Sequence, residues 1–308
     1  MIRPASCFAP VAVLLLAAVC QGQRAPRADE PAPLRVDVNL VVIPVTVTDK
    51  YGQTLSRLPR TSFHLFEEGV LQSIATFSSG DAPVSIGLIL DVSGSMRDNL
   101  PAACLFIRSL LAKANPDDEA SFLTFADRPD VRTPLTRDLD GLDRRIRSAR
   151  PGGSTSLIDA VYAALDHMKA ARNSRKALLI VSDGQDNHSR YSKAELMSRA
   201  AESDAQIYAL AINPPLGTDK PIQRVEQARG VALLDDLARA TGGLCFEATP
   251  YSGTSEAVPI VDLALHHQYL LGYYAGKSER TGWRRVQVKV DLPNARLFSR
   301  NRYFAATP

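Results

Sequence analysis

Cysteine is scarce in this 308-residue chain: there are four, with a single Trp and four Met. Cys7 and Cys20 fall in an N-terminal segment read below as removable. Cys104 and Cys245 remain, too few for a disulfide scaffold or a Cys-rich metal centre. They could form one bridge, and sequence leaves that open. An excess of one charge is missing too, since 36 Lys and Arg against 33 Asp and Glu leave a net +3. That argues against a strongly basic nucleic-acid binder. Nor does any apolar run reach the roughly 18 uninterrupted residues of a membrane-spanning helix. What is present is ordinary globular material, 45% hydrophobic and 22% charged, which excludes wholesale disorder. The length allows about two domains and a sizeable core.

Residues 1–22 have the pattern of a Sec signal peptide: Arg3, then an uncharged run from Pro10 to Cys20, then small residues near Ala18, Cys20 and Gly22. Lipidation at Cys20 is the less favoured alternative, because Val19 precedes it where such sites want a small residue. Residues 23–33, rich in Pro, Ala and charge, read as a tether. The expectation is a secreted or periplasmic protein with no integral membrane segment in its mature form.

Two β-rich flanks surround an alternating middle. In residues 34–80, Val45 and Val47 alternate with Thr46 and Thr48, Pro44 marks a bulge or an edge, and Ser62–Phe66 leads into a turn at Gly69. In residues 269–308, Val286, Val288, Val290 and Leu292 alternate with Arg285, Gln287, Lys289 and Asp291, and Leu297–Phe304 reads as one further strand. Trp283 and Tyr303 are expected as anchors of this module. Neither flank buries enough alone, so the two are expected to pair into one small β-sandwich. Between them, over residues 82–268, strands at 84–90, 120–125, 176–182, 206–212 and 244–247 alternate with helices at 100–114, 139–149, 157–171, 193–203, 224–241 and 257–268. Within the first helix, Leu105, Ile107, Leu110 and Leu111 are expected to form the buried face. This order predicts an α/β fold with a doubly wound, mostly parallel sheet, whose ligands sit at the carboxyl ends of the central strands.

Three segments carry oxygen donors where those strands end. Asp91, Ser93 and Ser95 follow the first strand at i, i+2 and i+4. Thr155 follows Gly152-Gly153 at the start of a helix, and Asp183-Gly184 follows the strand at 176–182. Two carboxylates and three hydroxyls are five candidate ligands for a hard cation such as Mg²⁺, which takes about six oxygens at roughly 2.0–2.1 Å. Mn²⁺ or Ca²⁺ could serve as well. Two negative charges balance a divalent ion without quenching it, so a further carboxylate would be well received.

In order and context these segments resemble the metal-ion-dependent adhesion site of von Willebrand factor A domains. The resemblance covers about Val84–Gln268. The flanks Val45–Gly52, Phe63–Gly69, Tyr269–Tyr274 and Arg302-Tyr303-Phe304 are similar to the bacterial secreted "VWFA-related" family. The resemblance implies that Ser93, Ser95 and Thr155 are hydroxyl ligands and that Asp91 and Asp183 bind directly or through water. It implies metal-mediated protein binding or adhesion, not catalysis, with a partner's acidic side chain completing the coordination. Oligomeric state is not implied.

Blander readings compete for each segment. Ser and Asp cap helices, and Asp-Gly makes turns. Asp159 reads as a first-turn helix acid, not a ligand. His266-His267 are adjacent and do not share a helix face, so they read as ordinary residues of the last helix. Asp186 and His188 could line the rim. Two rival functions remain. A haloacid-dehalogenase-like phosphatase would use Asp91 as nucleophile, Thr124 and Lys176 on the phosphate, and Asp183 with Asp186 on Mg²⁺. Ser93, however, stands where that chemistry needs an acid. The other rival is a scaffold whose metal site is idle.

Overall fold

The computed structural model describes residues 40–213, 221–249, 253–276 and 281–305. The expected signal peptide, tether and first strand residues before Leu40 lie outside the described residues. Among the described residues, fourteen strands and six α-helices follow in chain order: β1 (Leu40–Thr48), β2 (Phe63–Glu67), β3 (Val70–Gln72), β4 (Thr76–Ser78), β5 (Val84–Asp91), α1 (Leu100–Leu111), β6 (Glu119–Phe125), β7 (Pro129–Thr136), α2 (Leu139–Arg147), α3 (Leu157–His167), β8 (Arg175–Ser182), α4 (Lys193–Glu202), β9 (Gln206–Ile212), α5 (Pro221–Thr241), β10 (Cys245–Ala248), α6 (Thr254–His266), β11 (Tyr269–Tyr274), β12 (Gly282–Val290), β13 (Arg296–Ser299) and β14 (Arg302–Ala305).

The central sheet has the order β10-β9-β8-β5-β6-β7, parallel except for β7. Its inner strands are continuous apolar runs because both faces are covered. Ile86, Leu88 and Leu90 of β5 point to one side, against Phe106 and Ile107 of α1, Ile146 of α2 and Val261 of α6. Ile89 points to the other, against Val161 of α3, Leu196 of α4 and Leu237 of α5. The chain runs from β5 outward to β6, then returns to build β8 on β5's other side. The topological switch point therefore lies between β5 and β8, where open α/β sheets bind their ligands.

Two antiparallel four-stranded sheets, β13-β1-β11-β4 and β14-β12-β2-β3, share a second core. Ile43, Val45, Val47, Phe63, Leu65, Tyr269, Leu271, Tyr273, Val286, Val288 and Tyr303 fill it. Each sheet mixes strands from both flanks, as the expected sandwich requires. Pro44 sits in unbroken register opposite Leu270, one residue beyond the stretch of β1 that pairs with β13. There β1 is paired on one side only, so the missing N–H is tolerated without a bulge.

Three expectations need correction. The single strand expected at 297–304 is two, β13 and β14, which part at Arg300-Asn301 and join different sheets. Leu105 is exposed, and the buried face of α1 runs through Ala103, Phe106, Ile107, Leu110 and Leu111. Tyr303 is a buried anchor whose hydroxyl donates to Glu67 at 2.6 Å, but Trp283 lies at the surface, edge-on to Phe304 and under the Arg302 guanidinium. Cys104 and Cys245 are both free thiols.

The chain enters and leaves the α/β unit side by side, at an Asp81–His267 bridge. Arg175, at the start of β8, staples the crossing by donating to the carbonyls of Gly80, His266 and Gln268. Beside it His266 bonds Asp118 at 2.8 Å and Asp262 at 3.0 Å. Burial alone opposes charge on this ring. The two carboxylates overcome that and push its pKa up to about 10. Among the described residues, no helix is long and apolar enough to cross a membrane.

Candidate functional site

The register of β5 against β8 sets Leu90 opposite Val181, so Asp91 and Ser182 come off their strands as neighbours. The Ser182 hydroxyl donates to Asp91 Oδ2 at 2.6 Å and itself accepts the Gly184 N–H at 2.9 Å. Asp91 Oδ1 accepts the Ser93 N–H at 2.8 Å. Ser93 is still extended, with ψ 169°, and a single 3₁₀ turn over Gly94–Met96 follows. Extension and then tightening bring the Ser93 and Ser95 hydroxyl oxygens to 3.1 Å of each other.

The second segment is tied to the first through backbone. Gly94 N–H donates to Gly153 C=O at 3.0 Å and Gly152 N–H to Val92 C=O at 2.8 Å. Gly153 has φ +84°, and a Cβ there would lie 2.9 Å from the Asp127 carboxylate. Only glycine fits that position without strain. Thr155 is then clasped by the third segment. Its N–H donates to Asn187 Oδ1 at 2.9 Å, and its carbonyl accepts the N–H groups of Asn187 and His188. Asp183 completes the arrangement at the end of β8, its Oδ1 accepting the Gln185 N–H at 3.1 Å.

The structure thus brings all three sequence segments to one place, at the sheet's switch point. Asp91, Ser93, Thr155 and Asp183 are buried, whereas Ser95 and Gly94 are exposed. Burial, and next the negative charge of Asp183, push the Asp91 carboxyl up to about 7. Neither carboxylate forms an ion pair with any described Lys, Arg or His. Among the described residues there is also no group of three or more His, Cys, Asp or Glu that could hold a metal. An ion at this site would have to lean on hydroxyls.

Several residues have other roles. Asp159, in the first turn of α3, accepts the N–H groups of Arg190 and Tyr191 and pairs with the Arg190 guanidinium. Asp186 accepts the Ile158 N–H and the Ser189 hydroxyl, so it pins the loop to α3. His266 is locked at the far end of α6, and His267 is partly exposed. Lys176 pairs with Asp204 at the start of β8, the end of the sheet opposite Asp91. Thr124 accepts from Arg132.

Two positioning residues escape a sequence reading. Ser182 orients Asp91, and only the β5–β8 register reveals it. Gly230, inside α5, lies flat against Gly184, whose φ is +81°. A Cβ on Gly230 would stand 2.7 Å from the Asp183 carbonyl oxygen, and one on Gly184 would stand 2.4 Å from Gly230 backbone. A helix glycine is a weak signal by itself.

Residues 86–185 match the family model of the von Willebrand factor type A domain. Over those residues the chain is a von Willebrand factor type A domain. No curated protein matches the chain. Several solved structures are similar to it. An aerotolerance-related membrane protein from Bacteroides fragilis is 17% identical, with 59% of this chain and 98% of that chain covered and a TM-score of 0.48. The vWF domain of the type V pili tip protein Mfa5 from Porphyromonas gingivalis is 13% identical, with 60% and 97% covered and a TM-score of 0.45. Proximal thread matrix protein 1 from the mussel byssus, solved with a zinc-occupied MIDAS motif, is 15% identical, with 65% and 50% covered and a TM-score of 0.49. The five expected ligand positions of this VWA domain lie within or at the edges of the matched segment.

Proposed function

We propose that this VWA domain, spanning about residues 82–268, is a divalent-cation-dependent protein-interaction module. Asp91, Ser93, Ser95, Thr155 and Asp183 would hold the ion. The observation that carries the reading is the pair of buried acids, Asp91 and Asp183: burial, and next the charge of Asp183, raise the Asp91 carboxyl, and no described cationic side chain offsets that. A divalent ion supplies the missing charge, and the neutral hydroxyls of Ser93, Ser95 and Thr155 add oxygen donors without overloading it. An all-oxygen donor set favours Mg²⁺, with Mn²⁺ or Ca²⁺ as alternatives, over thiophilic metals. When bound, the ion supplies Lewis acidity toward an incoming oxygen.

The protein's own residues do the rest. Ser182 fixes the Asp91 carboxylate, Gly94 and Gly153 let two loops close together, and Asn187 clasps Thr155. The exposed edge at Gly94-Ser95 is where a partner would approach, presenting a carboxylate. Residues 1–22 as a signal peptide would place this adhesion-type function outside the cytoplasm, with the flanking strands as its β module.

The phosphatase alternative is disfavoured by geometry, because the Lys176 it needs on the phosphate stands at the wrong end of the sheet. Mg²⁺ titration calorimetry on the protein and on its Ser93→Ala/Ser95→Ala variant tests the proposal. One site per chain is expected in the first and none in the second. Equal uptake by both would contradict it.

A further inference from the structure

The solvent-facing side of an antiparallel sheet is ordinarily polar. The outer face of β14-β12-β2-β3 departs from that. Val286, Val288 and Tyr303 point into the sandwich core, so the residues that alternate with them point out. On that outer side Trp283 and Phe304 are exposed. The register sets Trp283 directly opposite Phe304, and Arg285 directly opposite Arg302. The Trp283 and Phe304 rings lie 5.4 Å apart with their planes 76° to one another, so together they form a corner. The Arg302 guanidinium stands 4.7 Å from the centre of the Trp283 ring. Two aromatic rings and two guanidinium-bearing residues thus occupy neighbouring outward positions on β12 and β14.

Arg285 and Arg302 are an unfavourable pair for the fold alone. Like charges directly opposite on one face of a sheet destabilise it. Both side chains are exposed, and among the described residues neither guanidinium has an ion-pair partner. No Asp or Glu stands at an outward position of β2, β12 or β14. Glu68, in the turn after β2, comes closest along the chain pairing, but its carboxylate accepts the Arg285 backbone N–H. Counting Glu68 in full still leaves the arginine pair one positive charge in excess. The far end of the face is balanced: Lys289 lies over the Phe66 ring at 5.1 Å, and the exposed Asp291 beside it bonds His64 at 2.6 Å. The excess is therefore confined to the end that carries the two exposed rings.

We propose that Arg285, Arg302, Trp283 and Phe304 form a binding site for a carboxylated sugar, as carried by an acidic polysaccharide. A uronic acid unit joins on one ring the two features that this site complements. Its carboxylate suits the planar N–H forks of two adjacent guanidinium groups, and would relieve their repulsion. Its C–H face suits the apolar corner of Trp283 and Phe304. A single-stranded nucleic acid fits less well, because its charge recurs at every nucleotide. The next outward cation along β12, Lys289, is four residues from Arg285, about 13 Å away, and is already matched by Asp291. This site lies on the sandwich and is independent of the metal-binding reading.

Trp283 is the chain's single Trp, so its fluorescence reports on this corner alone. A galacturonic acid oligomer titrated into the full chain should shift that emission saturably. EDTA is present throughout, which keeps the candidate metal site out of the measurement. Dextran, a neutral glucose polymer, should leave the emission unchanged, and raising salt should weaken the response to the oligomer. Arg285→Gln retains the probe and should weaken binding about tenfold. Its melting temperature should be equal to or above that of the unsubstituted protein, because the like-charge pair is gone. A lower melting temperature with unchanged binding would show that Arg285 serves the fold, and would overturn the proposal. So would no response to the oligomer, an equal response to dextran, or tighter binding of oligo(dT) or of phosphatidylglycerol vesicles.

Discussion

Asp91 is held by two hydrogen bonds, and only the one from Ser182 crosses to another strand. Outer partners that orient a metal ligand typically contribute ten- to a hundredfold in affinity. Ser182→Ala is therefore expected to weaken Mg²⁺ uptake by about tenfold, with an unchanged circular dichroism spectrum. Undiminished affinity in a calorimetric titration would remove Ser182 from the site. His266 gives a pH dependence of a different kind. Its pKa is about 10 in the folded protein, above its ordinary value of 6.5. A group raised on folding contributes stability in full below its unfolded pKa, and that contribution fades as pH climbs through the folded one. The unfolding free energy from urea titrations should therefore fall between about pH 6.5 and 10, by an amount on the order of a few kcal/mol. His266→Gln should be less stable at pH 6 and nearly flat over that window. A variant that kept the wild-type slope would show that another group is responsible.

Gly230 carries the corresponding argument for α5. Gly→Ala inside a helix normally stabilises by about 1 kcal/mol. Here the new methyl would press on the Asp183 carbonyl and on Gly184, both backbone that cannot swing away. Gly230→Ala should lower both the melting temperature and Mg²⁺ affinity, though it touches no ligand side chain. A rise in melting temperature with unchanged affinity would mean that the contact is loose.

The buried strands β5, β6, β8 and β9 were legible because parallel strands covered on both faces are unbroken apolar runs. The ligand segments were legible for the same reason, since each follows a strand end or opens a helix. β7 was not. It is an edge strand reading Pro-Asp-Val-Arg-Thr-Pro-Leu-Thr, largely exposed, with register shifts against β6, and it carries no hydrophobic alternation to read. Ser182 and Gly230 were hidden for another reason. Their roles are contacts with Asp91 and Gly184 across long stretches of chain, which no local pattern encodes.

At the scale of the whole molecule, the α/β unit is inserted into a sandwich made from both flanks. β1 is paired by β11 and β13, and β2 by β12, all from the C-terminal side. A chain ending at residue 274 would strip β1 of β13 and β2 of β12, and would remove Val286, Val288 and Tyr303 from the core. Amides of Val45–Thr48 and Phe63–Glu67 should then lose hydrogen-exchange protection while those of β5 and β8 keep theirs. Protection retained at β1 and β2 would show that the N-terminal flank stands alone. The Arg175 staple lies at the opposite end of β8 from Asp183, so this loss should leave the ligands where they are. The most direct test of the account is the electron paramagnetic resonance signal of Mn²⁺ titrated into the full chain, competed with Mg²⁺. One bound Mn²⁺ per chain, displaced by Mg²⁺ and abolished by Asp91→Asn, is the result predicted. Free-ion signal throughout, or binding indifferent to Asp91→Asn, would contradict it.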